Sequence, residues 1–521
     1  MKRLIPLILL LGFLLFFCNL GSRDFWAPDE GDFAQIVREL DGDLLVPHLN
    51  QAPYAEKPPL FYYITYSSKK LLSDLNDETS LRLPCALFAL LCLLFFALTI
   101  HRFFGIGQAY AATCVLAVSP LFYWQARYLQ VDMIFSSFLV GSLLAFFWYQ
   151  QARNKSHLYL FFFLLALAFT TKGPLAMVLV LPIVVIYLAW QQDFRFFVAR
   201  ETYIGCAILC AIILPWYIAV YLREGWPFLY ENVIHQNFVR FFDAWSHKRP
   251  FYYYFTTLPL DFFPWSLFLP MGLLLAFREL RRDSGTGFFL LWFLWMFFFL
   301  SLSSGKISKY MLPALPALSL LVSLNITRER SKYNTVVYFV LASLFLALGI
   351  MLLFINVRPD LFAKFFRERV LFATIFLILS AALFYYTRGA RLRSSFVVLF
   401  CAMVVLFSIG NLLLFSKWNE YKSPRAMVEQ MKQFTKNGIP WVYYGSMRGV
   451  YVYYMGTPAI AVDEHESEQL RVLGNKLEEF FILTRKRDLP EIQQALGPVT
   501  LLIEHKVGDT VMVFVGFHRK I

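Results

Sequence analysis

Apolar runs follow one another through most of the first 415 residues, near 4–20, 81–100, 108–124, 133–149, 158–171, 174–190, 203–222, 258–277, 287–303, 311–326, 334–355, 370–387 and 395–415. A helix crosses the hydrocarbon core of a bilayer with roughly 17–25 predominantly apolar residues. These runs therefore predict a mainly α, polytopic membrane helical bundle of about 13 spans. Composition agrees. The 521-residue chain is 59% hydrophobic and 16% charged, with a mean hydropathy of +0.56, whereas a soluble chain carries about a quarter of its residues charged.

The formal charge of +13 does not indicate a nucleic-acid partner. Much of the excess lies in short links between runs, which is the positive-inside pattern. With Lys2 and Arg3 in the cytoplasm, the cytoplasmic links hold Arg102; Arg153 and Lys155; Arg195 and Arg200; Arg278, Arg281 and Arg282; Arg328, Arg330 and Lys332; and Arg388, Arg391 and Arg393. The opposite face receives loops 21–80 and 223–257, links 125–132 and 304–310, stretch 356–369 and the tail. The N-terminal run then reads as an uncleaved signal anchor, since no small-residue cleavage site follows it. The seven cysteines lie mostly within apolar runs and form no CxxC pair, so neither a disulfide framework nor a zinc site is expected.

This arrangement divides the chain into a transmembrane region, 1–415, and a small α/β domain, 416–521, on the outer side. In the tail, β-like runs are expected at 441–444, 451–454, 480–484, 499–503 and 511–515, with helices at 425–436 and 489–496. The acidic cluster Asp463, Glu464, His465 and Glu466 reads as a solvated turn. In loop 21–80, Phe33, Ile36, Val37 and Leu40 recur at helical spacing behind Pro28, which predicts a helix over 29–40 lying in the interface. The aromatic-rich stretch 60–72 reads the same way.

Ionisable groups at membrane depth face cavities and meet partners. The topology collects such groups on the outer side: Asp29, Glu30, Glu56 and Lys57 from the first loop, Asp132 and Lys172 from span ends, Arg240, His247, Lys248 and Arg249 from loop 223–257, and Lys306, Lys309 and Tyr310 after the ninth run. Each has a plainer reading. Asp132 suits a helix N-cap, Lys172 a snorkelling end, and His247 a structural histidine. Taken together, bases beside a few carboxylates suit an anionic lipid headgroup and a carboxylate catalyst. Lysine and arginine hold phosphate by charge-assisted hydrogen bonds, and a carboxylate takes a proton from an attacking hydroxyl. Sugar transfer from a polyprenyl-phosphate donor requires both, and a monophosphate leaving group needs no metal or other cofactor when lysine and arginine neutralise it.

Several stretches carry a family resemblance: Pro28-Asp29-Glu30; Val46-Pro47-His48-Leu49-Asn50; Tyr54-Ala55-Glu56-Lys57-Pro58-Pro59; Leu129 to Asp132; Thr171-Lys172-Gly173; Arg240-Phe241 with His247-Lys248 and Pro250-Phe251; and Ser304-Gly305-Lys306-Ile307-Ser308-Lys309-Tyr310. In these the chain resembles the GT-C glycosyltransferases of the protein O-mannosyltransferase superfamily, and within it the bacterial aminoarabinose (ArnT-like) transferases of lipid A. The resemblance implies a multi-pass bacterial inner-membrane enzyme with a periplasmic site, inverting at the anomeric carbon. It implies an undecaprenyl-phosphate sugar donor and an envelope acceptor, lipid A or a related glycan. By position it makes Asp29 the essential acid, with Asp132 a second one. Lys57 and Arg240 become the donor-phosphate ligands, and Glu30, Glu56, Lys172, His247, Lys306 and Tyr310 contacts to substrate. Two departures stand out: His235-Gln236-Asn237 precedes Arg240 where aminoarabinose transferases usually carry a Glu-His pair, and Pro174 follows Gly173. Transfer to serine or threonine of a protein, and flipping of a lipid-linked sugar, are the alternatives.

Overall fold

A computed structural model describes residues 3–280, 283–328, 331–354, 364–436 and 438–519. Lys2, Arg281, Arg282, Arg330 and the stretch 356–363, all used in the topology reading, lie outside the described residues. Internal contacts group the chain into two compact units. One holds Met1–Leu20, Ala55–Phe61 and Leu83–Leu414; the other holds Gly21–Tyr54, Tyr62–Arg82 and Phe415–Ile521. Most of loop 21–80 thus groups with the tail rather than with the spans.

The first unit is helical. Eight helices, Asp77–Phe104 among them, are long and apolar enough to cross a membrane, or up to ten if each of two bent pairs is one span. Leu4–Phe17 and Leu175–Trp190 are shorter apolar helices. Length and composition among the described residues therefore support eight to ten spans, where the apolar runs suggest about 13. Two of those runs are broken. Ile106–Ala117 and Pro120–Ala126 meet at 66°, and Tyr253–Asp261 and Trp265–Glu279 at 113°. Pro120 and Pro264 stand at the breaks, and a proline supplies no backbone N–H to continue a helix.

Helix Val131–Ala152 runs through the centre: 94% of its apolar window is buried, against 17% for Arg200–Phe242. It turns back at once. Arg153 is left-handed with φ of 53°, and the Asn154 side chain accepts a hydrogen bond from the Ser156 N–H at 2.9 Å to start helix Lys155–Lys172. The two helices have 22 and 18 residues. At 1.5 Å per residue each is roughly 30 Å long, so the start of the first and the end of the second come to the same end of the bundle.

The second unit contains a two-residue hairpin, β1 (His48–Leu49) against β2 (Ala52–Pro53), and a mixed sheet. The sheet strands are β3 (Trp441–Tyr444), β4 (Ile460–Val462), β5 (Glu479–Arg485), β6 (Thr500–Val507) and β7 (Thr510–His518), in spatial order β4-β3-β5-β7-β6. The three central-to-edge strands β4, β3 and β5 are parallel, and β7 and β6 add antiparallel. Val442, Ile482, Val513 and Val515 fill its core with Leu470 and Ile492 from covering helices. The acidic cluster is a solvated turn, with Glu464 paired to Arg487 at 2.6 Å.

One expected strand is a helix. Tyr451-Val452-Tyr453-Tyr454 has strand-forming residues but lies within Gly449–Met455, buried throughout. Tertiary packing overrides the propensity. Helix Asp29–Glu39 packs on it so closely that a Cβ on Gly31 would stand 2.3 Å from the Val450 Cα. The Asp32 carboxylate accepts from the Gly449 N–H, Arg38 donates to the Tyr453 carbonyl at 2.6 Å, and the Arg38 guanidinium sits 3.8 Å from the Tyr453 ring centre. The helix itself is where its periodicity places it. Its buried face, Ala34, Ile36 and Val37 included, meets protein, a correction to the membrane-surface placement.

Candidate active site

The helical hairpin explains the first charge contact. Asp132 lies in the first turn of its helix, where the macrodipole favours an anion, and Lys172 ends the returning helix. Their side chains meet at 2.5 Å across 40 residues of sequence. Lys309, on the tight turn Ser308–Ala314, approaches the other Asp132 oxygen at 3.5 Å. All three lie in a low-dielectric setting: Asp132 is 5% exposed. Burying a carboxylate there requires partners, and two lysines supply them. Lys172 also sits 4.6 Å from the Tyr310 ring centre, a cation–π contact. Gly173 lets the chain turn away immediately after Lys172, with φ of 83°.

Next to this cluster lies a hollow of about 230 Å³. Its walls include Lys57, Lys172, Arg240 and Tyr310, with Gln236 and Asn237, and apolar surface from Leu175, Val178, Phe299 and Leu300. Three cations thus face one partly apolar cavity. Lys57 donates to the Glu56 carbonyl at 3.0 Å. Burial pushes its ammonium down to about 8; Glu56 opposes this, Arg240 and Lys172 repel it, and Asp132 opposes again. Arg240 donates to the Gln236 Oε1 at 3.1 Å and stacks 5.3 Å from the Trp245 ring centre. It stands at the end of a helical stretch with one break: Arg200–Leu229 is interrupted at Gly225, and widened turns over Tyr230–Val239 carry the helix to Arg240–Phe242.

Lys306 has different work from that expected of a substrate contact. Lys306 is 3% exposed, and its ammonium donates to the Arg249 carbonyl at 2.9 Å and to the Ser303 carbonyl. Burial lowers the proton affinity of this lysine. The Lys306 N–H donates to the His247 carbonyl at 3.0 Å and the Ser304 N–H to the Phe241 carbonyl at 2.7 Å. Gly305 permits this: a Cβ there would meet the Ala244 Cβ at 2.9 Å. Lys306 is the rivet of a backbone clamp that holds segment 240–249, Arg240 included. The His247 side chain is exposed, as is Glu56 beside Lys57.

Asp29 and Glu30 belong to the second unit. Asp29 opens helix Asp29–Glu39 and keeps part of its surface exposed. Glu30, expected as a substrate contact, is a correction. It is 0% exposed and forked on both sides: Arg23 donates to its two oxygens at 2.7 and 2.8 Å, Arg82 at 2.8 and 2.9 Å, and the Trp26 N–H at 3.2 Å. Every lone pair is occupied, so Glu30 anchors the helix start that presents Asp29.

Sequence reading missed Lys309 as a partner of Asp132, and Gln236 and Asn237 as cavity walls. The signal for Lys309 was its place beside Tyr310 in the polar link after an apolar run. For the two amides it was their spacing of four and three residues before Arg240, one helical turn.

The chain thus combines a helical, membrane-type unit that carries a cation-lined hollow beside a paired carboxylate with a small mixed-sheet unit. Comparisons with known proteins agree. Residues 56–218 match the family described as dolichyl-phosphate-mannose-protein mannosyltransferase. An undecaprenyl phosphate-alpha-4-amino-4-deoxy-L-arabinose arabinosyl transferase of Pseudomonas fluorescens is 32% identical over 330 residues, covering 61% of this chain and 58% of the relative. The corresponding transferase of Pseudomonas aeruginosa is 32% identical over 329 residues, covering 60% and 58%. The aligned region thus spans under two thirds of the length of these curated relatives. The crystal structure of ArnT from Cupriavidus metallidurans bound to undecaprenyl phosphate superposes with a TM-score of 0.81 at 20% identity, covering 98% of this chain and 97% of that one. The chain has the fold of that ArnT structure and, over about 61% of its length, is similar in sequence to the arabinosyl transferases named above.

Proposed function

We propose that this protein is an inverting glycosyltransferase of the bacterial inner membrane. It moves a sugar from a polyprenyl-phosphate donor, undecaprenyl phosphate by analogy with its relatives, to an envelope acceptor such as lipid A. The observation that carries the reading is the hollow with Lys57, Lys172 and Arg240 on walls that are otherwise largely apolar. A phosphate satisfies those cations, and an isoprenoid chain suits the apolar surface beside them. In the reaction the acceptor hydroxyl attacks the anomeric carbon as its proton passes to Asp29. The bond from that carbon to the phosphate oxygen breaks, and the phosphodiester monoanion becomes a monophosphate with one more negative charge. Lys57 and Arg240 stabilise the charge that develops, which lowers the barrier more than it tightens ground-state binding. Asp132, tied to Lys172 and Lys309, keeps those lysines oriented. No metal enters these steps. The N-terminus lies in the cytoplasm and the second unit in the periplasm.

The test is transfer by the purified protein in lipid vesicles from a labelled undecaprenyl-phosphate sugar, with lipid A or a serine/threonine peptide as acceptor. Label on lipid A, undiminished by EDTA, is expected. Label on the peptide alone would replace the acceptor, loss in EDTA would require a metal, and movement of donor between leaflets without transfer would make the protein a flippase.

Lys57→Met is expected to lower kcat/KM by about a hundredfold, the scale for removing one preorganised charge stabiliser. Wild-type affinity for undecaprenyl phosphate should also fall with pH. The ligand needs the ammonium, and this group begins to lose its proton near pH 8. Above that pH, affinity drops by about tenfold per unit until the pKa of the bound state is reached. Lys57→Arg should flatten the profile, since arginine stays charged. A wild-type profile flat between pH 7 and about 9 would remove Lys57 from the phosphate.

A further inference from the structure

An arginine side chain has many rotamers, so a guanidinium that is to meet a phosphate gains from being held in place beforehand. Arg240 is held from two sides. Its Nη1 donates to the Gln236 Oε1 at 3.1 Å, and its guanidinium carbon lies 5.3 Å from the Trp245 ring centre. Both supports lead back to one carboxylate. The Gln236 Nε2 donates to the Glu231 Oε1 at 2.7 Å. The His235 ring stacks on Trp245 with centroids 4.4 Å apart and planes at 8°, and its Nδ1 lies 2.9 Å from the Glu231 Oε2. An ionised carboxylate only accepts, so this Nδ1 carries the hydrogen. Glu231 itself is not among the residues that line the hollow.

The backbone explains the convergence. Tyr230–Val239 is a π-helix, whose hydrogen bonds reach five residues rather than four. On an α-helix the neighbours of a residue lie three and four positions away, and Glu231 would meet His235 but not Gln236. The wider turn sets Gln236, five residues on, beside the same carboxylate, and Arg240 follows one turn beyond Gln236. Resting on the reading above that Arg240 holds the donor phosphate, we propose that Glu231 is a positioning residue: through Gln236 on one side, and through His235 and Trp245 on the other, it aims Arg240 into the hollow. This role opposes the effect of its charge. A carboxylate within electrostatic reach of Lys57 repels an incoming phosphate through space, so deleting a Glu231 that did nothing else would tighten phosphate binding. Deleting a positioning residue loosens it.

The experiment measures the affinity of the full chain in nanodiscs for undecaprenyl phosphate at pH 7. Glu231→Ala and Glu231→Gln are compared alone, and Glu231→Ala also in the Arg240→Ala and Lys57→Met backgrounds. Glu231→Ala should weaken binding by about fivefold. Glu231→Gln keeps the volume and an acceptor for Gln236, and should weaken it less. Because Glu231 acts through Arg240, Glu231→Ala should change affinity by less than about twofold once Arg240 is alanine, whereas its effect should persist in full in Lys57→Met. An affinity that Glu231→Ala leaves unchanged or raises overturns the proposal. A loss of the same size in the Arg240→Ala background also overturns it, since the effect would then be structural. Failure of the wild type to bind undecaprenyl phosphate removes the phosphate site itself. Binding with the expected pattern but without sugar transfer removes the transferase reading and leaves the action of Glu231 on Arg240 standing.

Discussion

Asp29→Asn is expected to abolish sugar transfer, with kcat reduced by roughly a hundred- to ten-thousandfold, the range for removing a general base. The two side chains have the same shape, so the substitution deletes the proton acceptor and little else. Asp29 is the first residue of its helix, and losing a negative charge there costs only about 0.3–1 kcal/mol of helix stability. Insertion into the membrane, the Glu30 anchor and affinity for undecaprenyl phosphate should all survive. That separation is the measurement: single-turnover transfer collapses while binding of the lipid phosphate changes by less than about threefold. Turnover within a factor of ten of the wild type would eliminate Asp29 as the base, and the proton would then have to leave through another group.

Glu30→Gln should be the most damaging single change to the stability of the second unit. The carboxylate is fully buried between Arg23 and Arg82 and accepts from both guanidinium groups and from the Trp26 N–H. Neutralising it removes the carboxylate that two buried guanidinium ions share, and breaking a buried pair in this way costs about 3–5 kcal/mol. Glutamine preserves the volume, so a cavity does not confound the result. Trypsin cleavage within 21–54 and 415–519 should accelerate, and the apparent melting temperature should fall. Combining Glu30→Gln with Arg23→Gln should restore part of the loss, since the second change removes one of the stranded charges. A single variant within about 0.5 kcal/mol of the wild type would mean that the forked pair contributes no net stability, as exposed pairs often do. Activity should fall with Glu30→Gln as well, through a displaced Asp29. Unlike Asp29→Asn, that loss should track the unfolding midpoint.

The two predictions concern adjacent residues with opposite fates, and their difference marks the boundary of what patterning can say. Pro28-Asp29-Glu30 reads as an acidic helix start, and the helix is there. Nothing local distinguishes the acid that keeps solvent exposure from the one enclosed by Arg23 and Arg82, because Arg82 comes from 52 residues away. The same holds for the lysines. Lys57, Lys172, Lys306 and Lys309 all read as outer-side cations, yet Lys306 is consumed by two backbone carbonyls and Lys309 by Asp132. Periodicity failed at Tyr451–Tyr454, where strand-forming residues make a helix because the Gly31 face and the Asp32 carboxylate require one. It also read Pro120 and Pro264 through as continuous spans, though each proline marked its own break.

From the order of its residues alone, the chain is determined to be a membrane-embedded helical bundle with a small mixed α/β tail. Apolar length and β-patterned runs are local properties, and lipid or water acts on them locally. The family motifs grouped Lys57, Lys172, Arg240 and Tyr310 with Asp29, Glu30, Glu56, Asp132, His247 and Lys306. Only the tertiary structure decided which ionisable groups neutralise each other and which remain to face a ligand. That outcome depends on a hairpin of two helices, a clamp between 303–306 and 240–249, and an arginine brought in from a distant segment. In a low-dielectric interior each such pairing is worth several kcal/mol, so pairing, rather than residue type, assigns function.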